Sequence, residues 1–239
     1  MSPARVAAVA GSDPGMKAGL QTDRWAAKAL GCDLVSIEAI QTRQDGEGLA
    51  EVTARPSSGI ASALRRALEE EVGAVKLGAL GNRDAVLAVV EVLADFPDCP
   101  VVWDPVRSAT RIASPGALLL DDEGWKAATS HLLPRVTLAT PNLGEYGDGK
   151  EWEGCPAVLV TGGHGSGLRV LDTLHQEDGP VLNFEGPRVP GGETVHGTGC
   201  ALSTAVACFL AQGRTLESSA RESVREIREW LRSGFFLTR

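Results

Sequence analysis

A turn with the sequence H-G-T-G-C, residues 196–200, separates a loop rich in glycine and proline (GPRVPGGETV) from the apolar run ALSTAVACFLA. Glycines at a helix entrance let the backbone approach a ligand closely and leave N–H groups pointing outward. The positive end of a helix favours an anion, so Gly197, Thr198 and Gly199 form a ready phosphate site. Cys200 follows at once. A free cysteine is most often a small buried hydrophobe, and that reading suits Cys208 within AVACFLA. Beside a glycine turn the odds move toward a chemical role for Cys200. A Cys–His nucleophile with His196 ranks lower, because no third group is identifiable to orient the imidazole.

Other polar residues stand at the ends of apolar runs: Asp13 after RVAAVAGS, Gln41 after DLVSIEAI, Asp104 after PVVW, Asn142 after VTLATP, and Gly162–His164 after PAVLVT. Asp-Pro and Pro-Asn are also ordinary turn formers. Collected at one sheet edge they read instead as one active site.

The elements that must position them follow from periodicity. Strand-like runs at 5–11, 33–40, 73–80, 99–105, 136–142 and 156–165 alternate with helical patterns at 19–31, 56–71, 82–96 and 123–134. Ser57 or Ser58 and Asn82 are placed to cap the second and third helices. GLRVLDTLH and PVLNFEGPRV alternate like an antiparallel hairpin, and helices at 198–212 and 215–232 follow. Strand–helix alternation implies right-handed crossovers and a largely parallel sheet covered on both faces, with ligands beyond the carboxyl ends of its strands.

The 239 residues, 43% of them hydrophobic, suffice for one core. A net charge of −8 with no long basic block argues against a nucleic-acid grip. Five widely spaced cysteines without a C-x-x-C pair fit neither a disulfide framework nor a zinc knuckle. The N-terminal apolar run is too short for a signal peptide, and no stretch approaches membrane-spanning length. The expectation is a reduced, cytoplasmic protein.

AGSDPGMKAGLQTD, GCDLVSIEAIQT, KLGAL, VVWDPV, TPNLGE, VTGGH and HGTGC, in this order, resemble the hydroxymethylpyrimidine/phosphomethylpyrimidine kinases of thiamine biosynthesis, within the ribokinase superfamily. The resemblance implies a single ribokinase-like domain over residues 1–239, a three-layer α/β/α fold with a mostly parallel sheet and an antiparallel hairpin edge. It implies ATP- and Mg²⁺-dependent phosphorylation of 4-amino-5-hydroxymethyl-2-methylpyrimidine, its monophosphate, or both, by a cytoplasmic homodimer. The amides of Gly197, Thr198 and Gly199 then cradle the migrating phosphoryl group, and Cys200 is the base. A helix N-terminus lowers a thiol pKa from about 8.5 toward neutrality, which suits that role. Asp104 and Glu145 match the acids near the metal, and Asn142, Thr161 and Gly163 fall at the nucleotide. Ala18, Asp23, Gln41 and Val106 match substrate contacts, Asp23 and Gln41 being able to meet ring nitrogens and an exocyclic amine. Related enzymes with the same G-T-G-C ending phosphorylate pyridoxal, so a vitamin B6 kinase is the alternative. A ribokinase-fold ligand-binding protein with weakened transfer is another.

Three departures from the family stand out. Met16 and Lys17 replace a pair of glycines in the first loop. Thr161 replaces the usual lysine before Gly-Gly-His, and Arg107 or Arg111 is expected to restore part of that charge. Between TPNLGE and PAVLVTGGH a short polar segment, YGDGKEWEGC, stands where relatives carry a full helix, and the chain stops early at FFLTR. A helix layer shortened around 146–156 leaves sheet surface for a subunit partner or for Trp152 to cover.

Overall fold

The computed structural model describes residues 3–12, 18–45, 48–108, 117–163 and 167–237. Asp13, Met16, Lys17, Arg111 and His164 lie outside the described residues.

Nine strands form one sheet in the order β3-β2-β1-β4-β5-β6-β7-β8-β9. They are β1 (Arg5–Ser12), β2 (Asp33–Asp45), β3 (Gly48–Ala54), β4 (Ala74–Leu77), β5 (Val101–Trp103), β6 (Leu138–Ala139), β7 (Ala157–Val160), β8 (Arg169–Gln176) and β9 (Leu182–Pro187). The pairs from β2 through β1, β4, β5 and β6 to β7 are parallel. Strands β4, β5 and β7 are buried throughout, as inner parallel strands covered on both faces must be. Strands β8 and β9 add the expected antiparallel edge. The opposite edge was not anticipated: β3 pairs antiparallel with β2, which runs on well past Ile40. Its sequence GLAEVTA buries Leu49 alone, so it carries no apolar alternation to betray a strand.

Alternate strand residues point to opposite faces. Ala7, Val9, Val75, Leu77 and Trp103 pack under α2 (Ser57–Glu69), α3 (Arg83–Ala94) and α4 (Asp122–Ala127). Val6, Ala74, Val102 and Leu138 pack under α1 (Leu20–Ala29), α6 (Thr198–Ala211) and α7 (Leu216–Arg232). Helix α3 is capped as expected, Asn82 Oδ1 accepting from the Ala85 N–H at 3.0 Å. Helix α2 has no side-chain cap; its N-cap is Pro56 rather than either serine. The pattern at 123–134 divides into α4, a π turn over Ala128–Leu132 and a 3₁₀ turn over Leu133–Arg135. Pro134 has no N–H with which to continue a regular helix.

The segment after α5 (Leu143–Tyr146) contains only a 3₁₀ turn, Lys150–Trp152, before β7. Trp152 is 4% exposed, with its ring 5.9 Å from Trp103 and 6.1 Å from Trp125. That indole occupies the space beside the shortened helix layer. Among the described residues no helix is long and apolar enough to cross a membrane.

Candidate active site

Helix α6 begins at the glycine turn and runs beneath β1, β4 and β5. Its sequence is apolar on every side, so it is buried from Ala201 to Phe209, as such a helix must be. Gly197 sits at its N-cap with φ 82°, in the left-handed region that glycine enters without strain. It has no side chain to offer the first amides, which are left for another acceptor. A Cβ built on Gly199 would meet a single atom within 4 Å, Asp104 Oδ1 at 3.9 Å. The turn is thus open beside a carboxylate.

Cys200, Ser203 and Thr204, spaced i, i+3 and i+4, line one face of α6. The Cys200 thiol lies close enough to the Asp104 carboxylate and the Gly19 N–H for both to act on it electrostatically. Ser203 Oγ lies 3.1 Å from the carbonyls of Gly199 and Cys200 and 3.4 Å from Asp104 Oδ2. Thr204 Oγ1 donates to Asp23 Oδ1 at 2.8 Å. Between the two acids stands Lys76, on the inner strand β4, with Nζ 3.0 Å from Asp23 Oδ1 and 4.0 Å from Asp104 Oδ2. Lys76 and Asp23 are fully buried and Asp104 nearly so.

One cation therefore faces two buried carboxylates and a half-buried thiol. Burial opposes the charge on Lys76, but Asp23, Cys200 and Asp104 outweigh it and its pKa is raised. Burial raises Asp23 and Asp104 in spite of the ammonium. Burial likewise pushes the Cys200 thiol up to about 12, with Asp104 and Asp23 adding to it and Lys76 and the Gly19 amide opposing. The expected fall toward neutrality does not occur in this arrangement. The helix N-terminus is outweighed by desolvation and two neighbouring acids. These surroundings favour the neutral thiol at Cys200 over the thiolate.

Asp23 also departs from expectation. Lys76 and Thr204 occupy its carboxylate, so it braces α1 against β4 and α6 instead of opening toward a ligand. Gln41 is exposed within β2, in register with Ser12 at the end of β1, and its Oε1 accepts weakly from Arg55 at 3.4 Å. Ala18 and Val106 are half-buried where the chain enters α1 and leaves β5. Those three stay near the strand ends.

The second half of the edge is built by β6 and β7. Thr161 donates its N–H to the Pro141 carbonyl at 2.9 Å and accepts from the Leu143 N–H at 3.2 Å, which sets it beside Asn142. Asn142 Oδ1 accepts from the amides of Gly144 and Glu145, and Glu145 Oε2 accepts from the Asn142 N–H at 2.9 Å, a capping box for α5. Burial raises Glu145 to about 7; the Asn142 amide opposes this and Asp104 adds to it. Gly162 donates to Asp172 Oδ1 at 2.9 Å, and Asp172 is held by Arg228 of α7 at 2.8 Å. A Cβ at Gly162 would stand 2.1 Å from the Leu171 carbonyl oxygen, so this turn admits glycine alone. Gly163 has nothing within 4 Å of its own Cβ position. Arg107 is drawn to Asp122 at 2.9 Å and lies over the Trp125 ring at 4.8 Å.

Lys76, Ser203, Thr204 and Asp172 were missed by sequence reasoning. Each carried a signal: a polar residue inside a fully apolar run, or an acid in a hairpin strand. Among the described residues no group of three His, Cys, Asp or Glu side chains forms a metal cage. Asp104 and Glu145 nevertheless offer the oxygen donors a hard cation takes when phosphates and water complete its shell.

A family model described as phosphomethylpyrimidine kinase matches residues 13–148 and 150–239. The hydroxymethylpyrimidine/phosphomethylpyrimidine kinase of Streptomyces coelicolor is 32% identical over 98% of this chain and 91% of its own. The Escherichia coli enzyme of the same name is 31% identical over 95% and 88%. Among solved structures, phosphomethylpyrimidine kinase from Clostridium difficile superposes with a TM-score of 0.76 at 24% identity, covering 95% of this chain and 98% of that one. A pyridoxal kinase from Staphylococcus aureus, in complex with AMP-PCP, superposes at 0.82 with 22% identity, covering 97% and 89%. The superpositions speak for the fold.

Proposed function

The chain belongs to the phosphomethylpyrimidine kinase family, and from that premise we propose that it moves the γ-phosphoryl group of ATP onto 4-amino-5-hydroxymethyl-2-methylpyrimidine, its monophosphate, or both, in thiamine biosynthesis. The observation that carries the reading is the uncapped entrance of α6, where a Cβ on Gly199 would meet, among the described residues, only Asp104 Oδ1. In the transfer the acceptor oxygen forms a bond to phosphorus as the bond to ADP breaks. Charge spread over the three equatorial oxygens meets the amides of residues 197–199. Such transition states ask the protein chiefly for positioning and charge stabilisation.

Cys200 stands where the hydroxymethyl proton must go. Cys200 would accept that proton at sulfur as its own thiol proton leaves toward the neighbouring Asp104 carboxylate. Asp104 and Glu145 would hold Mg²⁺, which when bound neutralises phosphate charge. Gln41, Ala18 and Val106 would line the ring site, while Asn142, Thr161 and Gly163 would face the nucleotide. Asp23 acts from beneath, through Lys76. The five free cysteines support a reducing, cytoplasmic setting. Leu168, Leu171 and Val181, exposed on or beside the β8–β9 hairpin, support a homodimer, which light scattering at twice the monomer mass would register.

The test is turnover with the pyrimidine alcohol and pyridoxal in parallel. The proposal expects ADP formation with the pyrimidine, lost by about a hundredfold or more in Cys200→Ala with nucleotide affinity retained. Preference for pyridoxal would transfer the reading to a vitamin B6 kinase. Ring binding without turnover would make it a binding protein.

A further inference from the structure

The glycine turn after β7 opens on a neutral threonine, Thr161, where the resemblance to the family implies a lysine. Sheet topology delivers a replacement. Strand β8 runs antiparallel to β7 and β9 antiparallel to β8, so the carboxyl end of β9 returns to the edge where Thr161 and Gly162–Gly163 lie. Arg188 is the first residue past β9. Its own N–H donates to the Leu168 carbonyl at 2.8 Å. Its guanidinium donates through Nη1 to the Gly163 carbonyl at 2.6 Å and through Nε to the Gly167 carbonyl at 2.8 Å.

Those two bonds fix the planar head against the turn and use two of its five N–H donors. The other three have no acceptor among the described residues, and no carboxylate among them pairs with this arginine. Arg43, Arg55 and Arg107, which also stand near the carboxyl edge of the parallel strands, are engaged with Glu51, with Glu38, and with Asp122 and the Trp125 ring. Arg188 is half-buried, and the Cβ direction of Gly163 is clear. A guanidinium held by carbonyls at one side and free at the other matches two phosphate oxygens at once.

We propose that Arg188 binds the terminal phosphates of the nucleoside triphosphate and supplies the charge that Thr161 does not. This rests on the nucleotide-dependent reading above. The experiment is calorimetric titration of the whole chain with AMP-PCP, ADP and AMP in the presence of Mg²⁺. The variants are Arg188→Gln, which keeps a donor for Gly163 without the charge, and Arg188→Gln combined with Thr161→Lys.

In the native chain AMP-PCP should bind more tightly than AMP. Arg188→Gln should weaken AMP-PCP roughly ten- to a hundredfold, the scale of a charged hydrogen bond, and leave AMP unchanged. Thr161→Lys should restore most of the loss. Equal weakening of AMP and AMP-PCP would mean that Arg188 merely braces the loop and would overturn the inference, as would an unaltered AMP-PCP affinity. Should Arg188→Gln fail to fold, Arg188→Lys and Thr161→Lys decide through the same ratio. Charge retained at 188 must hold the preference for AMP-PCP, and added charge at 161 must raise it. A native chain without any preference for AMP-PCP over AMP would instead bring down the nucleotide reading itself.

Discussion

The Lys76 ammonium lies 3.0 Å from Asp23 Oδ1 with both side chains sealed from water, tying β4 to α1 beneath the glycine turn that opens α6. Asp104 lies 4.0 Å from the same ammonium and Cys200 feels its charge, so the charge beneath the turn is set by a fully buried residue.

Breaking that pair should be costly. Lys76→Met leaves two buried acids without their cation, and Asp23→Leu leaves a buried ammonium half-partnered. Each is expected to lose about 3–5 kcal/mol in urea unfolding, because an uncompensated buried charge remains. The double variant should lose clearly less than the two single losses combined. Strict additivity would show that the two side chains are not coupled.

Gly199→Asp should separate stability from activity. The new carboxylate enters a space bounded by Asp104 Oδ1 and set among amides meant for phosphate. An acid in a first helical turn is tolerated or mildly stabilising, so the melting temperature should move little. Loss of the anion site should lower kcat by about a hundredfold or more. A variant with native kcat would place phosphoryl transfer elsewhere.

Glu145→Gln distinguishes a cap from a metal ligand. Glutamine preserves the capping box with Asn142, so folding stability should change by less than about 1 kcal/mol. With one anionic oxygen donor gone, the Mg²⁺ concentration for half-maximal activity should rise several-fold. An unchanged Mg²⁺ midpoint would restrict Glu145 to its capping role.

Trp152→Ala removes the indole packed beside Trp103 and Trp125. Truncating a large buried aromatic costs about 3–5 kcal/mol. The native state should lose that much in chemical denaturation, while the KM for ATP in the surviving folded fraction stays near native. A cost below about 1 kcal/mol would mean that the shortened helix layer is closed by something other than this ring.

Much of this was legible along the chain. Strand and helix alternation predicted the parallel sheet and its two helical faces, since burial on both sides leaves continuous apolar runs. The glycine turn could be read as a candidate anion site because glycine spacing and helix polarity are local properties. Asp104, Asn142 and Thr161 stood at strand ends, and the sheet brought those ends to one edge. Strand β3 escaped notice because its register rests on hydrogen bonding to β2, with little apolar patterning of its own.

What the amino-acid order determined by itself was the architecture and the identity of the turn, because both depend on residues close together in the chain. Tertiary structure alone decided the charge state and supply of cations at that turn. Thr204 meets Asp23 across 181 residues and Lys76 meets it across 53, while Arg188 reaches Gly163 by way of a hairpin. Coulomb energy and desolvation act through space, so Lys76, Cys200 and Arg188 acquire their surroundings only when the sheet has brought distant segments together.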